Sequence, residues 1–185
     1  NINVINSNEA PVITSAATAS ITEGNVAGAN ILTLAATDQD GDAVTWSVFG
    51  GADAALFQIG AGGDANKLQA VGVLDRETDC AAGVCTVIVR ATDAGLLTTD
   101  ITITVTIDNI NDNNPVWNNP GLALAVNENS VENWVALDAT DADGDAVTYT
   151  ITGGADEALF TINAGTGKLE FSAAPDFENP SDAGT

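Results

Sequence analysis

The sequence predicts an all-β fold, tandem antiparallel β-sandwiches of about seven strands each, on three observations. Apolar runs are short and β-branched, turn residues arrive about every ten positions, and the whole pattern recurs after roughly a hundred residues.

Taken in order, Val44-Thr45-Trp46-Ser47-Val48, Thr86-Val87-Ile88-Val89 and Ile101-Thr102-Ile103-Thr104-Val105-Thr106-Ile107 are short, rich in β-branched residues and separated by Gly/Asp/Asn clusters, and read as strands. No segment of helical length carries apolar side chains at helical spacing with caps. The Gly60-Ala61-Gly62-Gly63 stretch precedes no Lys-Ser/Thr pair and adjoins Asp64, so it is a loop and not a phosphate cradle.

The recurrence is explicit. Thr37 to Ile59 (TDQDGDAVTWSVFGGADAALFQI) and Thr140 to Ile162 (TDADGDAVTYTITGGADEALFTI) agree at 16 of 23 positions, at an offset of 103. Pro11 and Pro115 lie 104 apart and Asp75 and Asp176 lie 101 apart, so separate landmarks keep nearly one period. Such a period is too long for a solenoid unit and fits a small domain. We therefore expect residues 1–10 to be the last strand (Ile2-Asn3-Val4-Ile5) and linker of a preceding repeat, 11–108 a repeat, 109–114 a linker, and 115–185 a second, incomplete repeat lacking the equivalents of Thr86 to Ile107. Either the array continues beyond Thr185 or another chain supplies strands.

Composition narrows the chemistry. The 185 residues include 4 Lys+Arg against 26 Asp+Glu, with no His and no Met, for a formal charge of −22. With 45% hydrophobic residues the chain can still bury a core, so the charge belongs on a folded surface. That field repels phosphate backbones and anionic lipid, and cations are the natural partners. Without His, and with Cys80 and Cys85 as the only cysteines, serine triads, Cys/His dyads and imidazole zinc sites are excluded. A glycosidase working with paired carboxylates is formally open, but acids that recur at the same place in each repeat suit coordination better than a single cleft.

The acids concentrate at turns and in Ile107-Asp108-Asn109-Ile110-Asn111-Asp112-Asn113-Asn114-Pro115, which supplies carboxylates, amides and carbonyls, the hard oxygens that calcium takes. Asp38-x-Asp40-Gly41-Asp42 and Asp141-x-Asp143-Gly144-Asp145 look like the start of a helix-loop-helix calcium loop. The twelfth positions, however, are Phe49 and Thr152 where that loop needs Glu, and the flanks are strands.

In sequence order, Glu23, Asp38-x-Asp40, Leu74-Asp75-Arg76-Glu77, Ala91-Thr92-Asp93 and Asn109-x-Asn111-Asp112-Asn113-x-Pro115 resemble the markers of the cadherin repeat, and the second repeat matches with Glu128, Asp141-x-Asp143 and Asp176-Phe177-Glu178. The resemblance covers the whole chain and implies seven-stranded Greek-key, immunoglobulin-like sandwiches with calcium ions shared between successive repeats. It implies, for the joint at Pro115, metal ligands Glu23, Asp75, Glu77, Asn109, Asn111, Asp112, Asn113, Asp141 and Asp143. At the N-terminal joint it implies Asp38, Asp40, Asp93, Asn8 and Glu9, and at the C-terminal joint Glu128, Asp176 and Glu178. Two departures stand out: Asn109 replaces the usual Asp, and Phe177 replaces Arg. The compact Asp-Gly-Asp loops and the scarcity of Lys resemble bacterial surface arrays.

Cys80 and Cys85 are spaced to close a small ring across the loop after Glu77, consistent with export; two free thiols are the alternative. Trp46 and Tyr149, repeat counterparts, are expected in the core, while Trp117 and Trp134 are left between core and surface, and an exposed Trp could stack on a sugar ring or a partner chain. The expected function is a non-enzymatic, calcium-binding segment of a large extracellular or cell-surface protein, serving adhesion or spacing. Its expected partners are neighbouring repeats, with another protein or a surface polysaccharide in reach, and neither nucleic acid nor membrane insertion. Two alternatives belong to other classes: a carbohydrate-binding module, or a filament subunit that accepts a strand from a neighbour.

Overall fold

The computed structural model describes residues 1–3, 5–130 and 134–180, with the backbone alone at Trp134. It divides into two compact units, Asn1–Ile110 and Asn111–Thr185.

In unit 1 the strands are β1 (Val12–Ile13), β2 (Thr18–Thr22), β3 (Asn30–Thr33), β4 (Ala36–Thr37), β5 (Thr45–Gly50), β6 (Phe57–Ile59), β7 (Lys67–Ala70), β8 (Val84–Thr92) and β9 (Thr98–Asp108). One sheet runs β2-β9-β8-β5 and the facing sheet β3-β7-β6, while β1 and β4 pair along the side. β1 with β2, and β3 with β4, are each one strand of a seven-stranded sandwich broken into two pieces. The pairing is antiparallel except that β2 runs parallel to β9, Thr18 opposite Thr104 through Thr22 opposite Asp108.

Alternation explains which residues make the core. On β8, Cys85, Val87, Val89 and Ala91 are buried while Val84, Thr86, Ile88, Arg90 and Thr92 face outward, and β9 does the same with Ile103, Val105 and Ile107. All of these buried side chains except Ala91 meet Leu34, Phe57, Leu68 and Leu74 in one cluster, and Trp46 and Val48 of β5 pack against it half-buried. Cys80 and Cys85 form a disulfide with Cα atoms 5.3 Å apart, so the ring expected across that loop is present and the free-thiol alternative falls.

Ile2, Asn3 and Ile5 carry no strand, and Val4, at the centre of the expected closing strand, lies outside the described residues. A strand exists only through ladder bonds to its neighbours, and the strands of a preceding repeat that this segment would pair with are not among those of the described residues.

In unit 2 the strands are β10 (Val116–Trp117), β11 (Trp134–Ala136), β12 (Ala139–Thr140), β13 (Phe160–Ile162) and β14 (Lys168–Phe171). They pair as β10-β12 and β11-β14-β13, repeating β1-β4 and β3-β7-β6 of unit 1. Residues 122–126 and 148–153, at the places of β2 and β5, have no strand. In unit 1 those two strands are bonded to β9 and β8, and the described residues of unit 2 include no counterpart of either. Leu122, Leu124 and Val126 are accordingly exposed. Tyr149 is buried against Trp117, ring centroids 5.7 Å apart, whereas Trp117 is half exposed. The direction of the Trp134 side chain lies outside the described residues.

Candidate metal centre

At the N-terminal end of unit 1 the loop after β4 folds around Asp38. Its Oδ1 accepts from the backbone N–H of Asp40 at 2.9 Å and of Asp42 at 3.2 Å. This leaves Oδ2 buried with no hydrogen-bond partner among the described residues. Asp40 accepts from the Asn6 amide and, at 2.8 Å, from the Glu9 N–H. Asp93, buried in the β8–β9 turn, accepts from the Leu97 N–H at 2.8 Å and the Asn8 Nδ2 at 2.9 Å. Asn8 reaches Asp93 because residue 95 is glycine: a Cβ there would stand 2.3 Å from Asn8 Nδ2.

Glu9 completes this group, and its Oε2 is a second buried oxygen without a partner. Desolvation and the neighbouring Asp40 and Asp38 raise its pKa above the usual carboxylate value. Asp40 is held below it, first by the Glu9 N–H and then by the Asn6 amide. For a carboxyl group, a raised folded pKa means stability lost as pH rises through it, and a lowered one means stability lost as pH falls through it. In EDTA, carboxylate resonances should therefore show Asp40 titrating first from the acid side and Glu9 clearly later. Coincident titration would contradict the arrangement.

No side-chain cation of the protein neutralises this group. Of the four, Arg90 pairs with Asp100 at 2.7 Å and lies over the Phe49 ring, and Lys168 pairs with Glu170. Arg76 approaches Glu77 at 3.8 Å, and Lys67 donates to the Thr33 hydroxyl. Buried oxygens that lack both donors and counter-charge fit a hard dication, and Asp38, Asp40, Asp93 and Glu9 with the Asn8 amide supply an all-oxygen donor set.

At the other end of unit 1, Glu23 follows β2 and is 3% exposed. It accepts from the backbone N–H of Arg76 at 2.8 Å and from that of Ile110. Glu77 lies beside it, with a carboxylate oxygen of each within 4.8 Å of the other. Asp75 serves the turn, its Oδ1 accepting from the N–H groups of Glu77 and Thr78. Asn109 Oδ1 accepts from the Arg76 guanidinium at 3.0 Å.

Unit 2 repeats both arrangements. Asp143, 9% exposed, accepts from the N–H groups of Asp112 and Asn113, and its own N–H donates to Asp141. Further along, Glu128 accepts from the Phe177 N–H at 3.1 Å, as Glu23 does from Arg76, and Asp176 accepts from Glu178 and Asn179. Glu128, Asp176 and Glu178 bring carboxylate oxygens within 4.8 Å of one another, all exposed. Sequence reasoning left out Asn6, whose amide donates to Asp40, and Asp145, which accepts from the Asn111 amide. The signal for Asn6 was its place in the linker before Pro11, and that for Asp145 was its place as the third Asp of the second Asp-x-Asp-Gly-Asp loop.

No family model matches the chain. The chain is 29% identical to Drosophila melanogaster Cadherin-99C over 164 residues, which is 85% of this chain and 9% of that protein. It is 34% identical to Mus musculus Protocadherin Fat 4 over 158 residues, 80% of this chain and 3% of the relative. The chain thus spans less than a tenth of these curated relatives. Among solved structures, mouse Cadherin-23 EC22-24 superposes with a TM-score of 0.72 at 25% identity, covering 93% of this chain and 56% of that one. Shared sequence over most of its length and a shared sandwich architecture make this chain a homologue of cadherin repeats.

Proposed function

We propose that the chain is a calcium-binding segment of an extracellular protein, in which dications shared between successive repeats stiffen an array that serves adhesion or spacing. The observation that carries this reading is the Glu9–Asp38–Asp40–Asp93 group: buried carboxylate oxygens with no partner, in a protein whose four cationic side chains are engaged elsewhere. Without a cation these acids repel one another and the short linkers flex. A dication turns the same repulsion into shared coordination. The ligands proposed for the joint at Pro115 are Glu23, Asp75, Glu77, Asn109, Asn111, Asp112, Asn113, Asp141 and Asp143. Glu128, Asp176 and Glu178 are the ligands proposed for the C-terminal joint, and a bacterial source belongs to the same reading, on the compact Asp-Gly-Asp loops and scarce Lys. Among the described residues no helix is long and apolar enough to cross a membrane.

The test is thermal melting of the 185-residue chain in EDTA and across a calcium titration, with magnesium at matched ionic strength. Extracellular calcium modules bind at about 10⁻⁴ to 10⁻³ M. One site at 100 times its dissociation constant adds about 2.7 kcal/mol. A saturable, calcium-specific rise in Tm is the expected result, and a rise no larger than magnesium gives would overturn the reading.

The carbohydrate-module reading gains nothing from Trp46, Tyr149 or Phe49. Trp46 packs against the core, Tyr149 is buried, and Phe49 carries the Arg90 guanidinium 3.3 Å from its ring centroid.

A further inference from the structure

We propose that Arg76 is an internal competitor for calcium, a positioning residue whose guanidinium holds Asn109 and Glu77 in the metal-free protein and must be displaced before a dication can use them. The inference rests on the calcium reading and adds to it a device that sets the threshold of one site. Three contacts, all within unit 1, carry it. The Arg76 Nη1 donates to Asn109 Oδ1 at 3.0 Å. The same nitrogen stands 3.8 Å from Glu77 Oε1. The Arg76 backbone N–H, by contrast, binds Glu23 at 2.8 Å, so the main chain orders one carboxylate while the side chain reaches two other oxygens.

The guanidinium is held in this pose from behind. Gly83, in the loop closed by the Cys80–Cys85 disulfide, has φ +69, and a Cβ on it would meet Arg76 Cγ at 2.7 Å and Nε at 2.9 Å. The loop therefore presents bare backbone against which the arginine stem lies. An Asn109 oxygen that faces a guanidinium N–H cannot also bind a dication at about 2.3 to 2.6 Å without bringing two positive centres within a few ångströms of each other.

Unit 2 supplies the contrast within the same chain. Phe177 occupies the equivalent position, its N–H makes the same bond to Glu128, and its exposed side chain carries no charge. The site of Glu128, Asp176 and Glu178 thus has the main-chain half of the arrangement without the competitor.

The test is a calcium titration of the 185-residue chain followed by NMR at the Glu77 and Ile110 amides and the Asn109 side-chain amide. The Asp93 and Leu97 amides serve as an internal reference at the opposite end of unit 1. In Arg76→Gln the midpoint at Glu77 and Ile110 should fall about three- to tenfold, a modest gain because the charge removed is partly solvated and screened. The reference amides should keep their wild-type midpoint. Arg76→Lys, which keeps the charge without the planar fork, should lie between. Melting supplies the readout that a merely structural role would not give: Arg76→Gln should melt lower than wild type in EDTA and equally in saturating calcium. An unchanged or higher midpoint in Arg76→Gln, or equal loss of Tm in both conditions, overturns the proposal. A wild-type chain whose Glu77 and Ile110 amides do not respond to calcium overturns the calcium reading as well, and is distinguished from the first failure by needing no variant.

Discussion

Ile103→Ala should destabilise unit 1 by about 2–5 kcal/mol, the range for truncating a fully buried aliphatic side chain. Ile103 sits at the middle of β9, fully buried and opposite Val87 of β8, within the cluster that joins both sheets. Its removal leaves a cavity bounded by β-branched side chains on paired strands, which have little freedom to collapse inward. For a domain of about a hundred residues the melting transition should fall by roughly 10 °C or more. Thr102→Ala, one residue away on the outward face, is the control and should change stability by no more than about 0.5 kcal/mol. Equal effects of the two substitutions would mean that the alternation along β9 has been assigned to the wrong faces.

Glu23→Ala should act twice, and calorimetry in the two ionic conditions separates the actions. In EDTA it leaves the backbone N–H groups of Arg76 and Ile110 without their acceptor, in a place where Glu23 is almost fully buried. Orphaning a buried donor costs about 1–3 kcal/mol, so the metal-free protein should already be weakened. In calcium the variant should also lose most of the metal-dependent rise in Tm that the site at this end of unit 1 contributes. Glu23→Gln offers one acceptor oxygen and one unwanted donor, so it should recover part of the first loss and little of the second. A variant that weakens the EDTA form yet keeps the full calcium response would assign Glu23 a purely structural role.

What the sequence made legible, and what it did not, divides along a physical line. Strands with period-two burial, such as β8 and β9, could be placed from residue types alone, because alternation is a local signal. The breaks that split β1 from β2 and β3 from β4 were not legible, since they depend on which sheet each half joins. The same holds for residues 148–153. Their sequence matches β5 closely, yet they carry no strand, because a strand is a relation to neighbours as well as a propensity. In the candidate metal centres the carboxylates were legible because they recur in register. The Arg76 contact with Asn109 was not, since it joins residues 33 positions apart through a side chain whose direction the loop at Gly83 determines.

The parallel pairing of β2 with β9 has one more consequence. Force applied to unit 1 through the segment before β2 and the segment after β9 drags the two strands in opposite directions along their common axis. The five residue pairs from Thr18–Thr104 to Thr22–Asp108 are then loaded together in shear, and none can open ahead of the others as in an unzipping hairpin. Thr22 and Asp108 end that ladder next to Glu23, whose N–H donates to the Asp108 carbonyl at 3.1 Å, so tension leaving the strand passes straight into the residues that face the candidate ion.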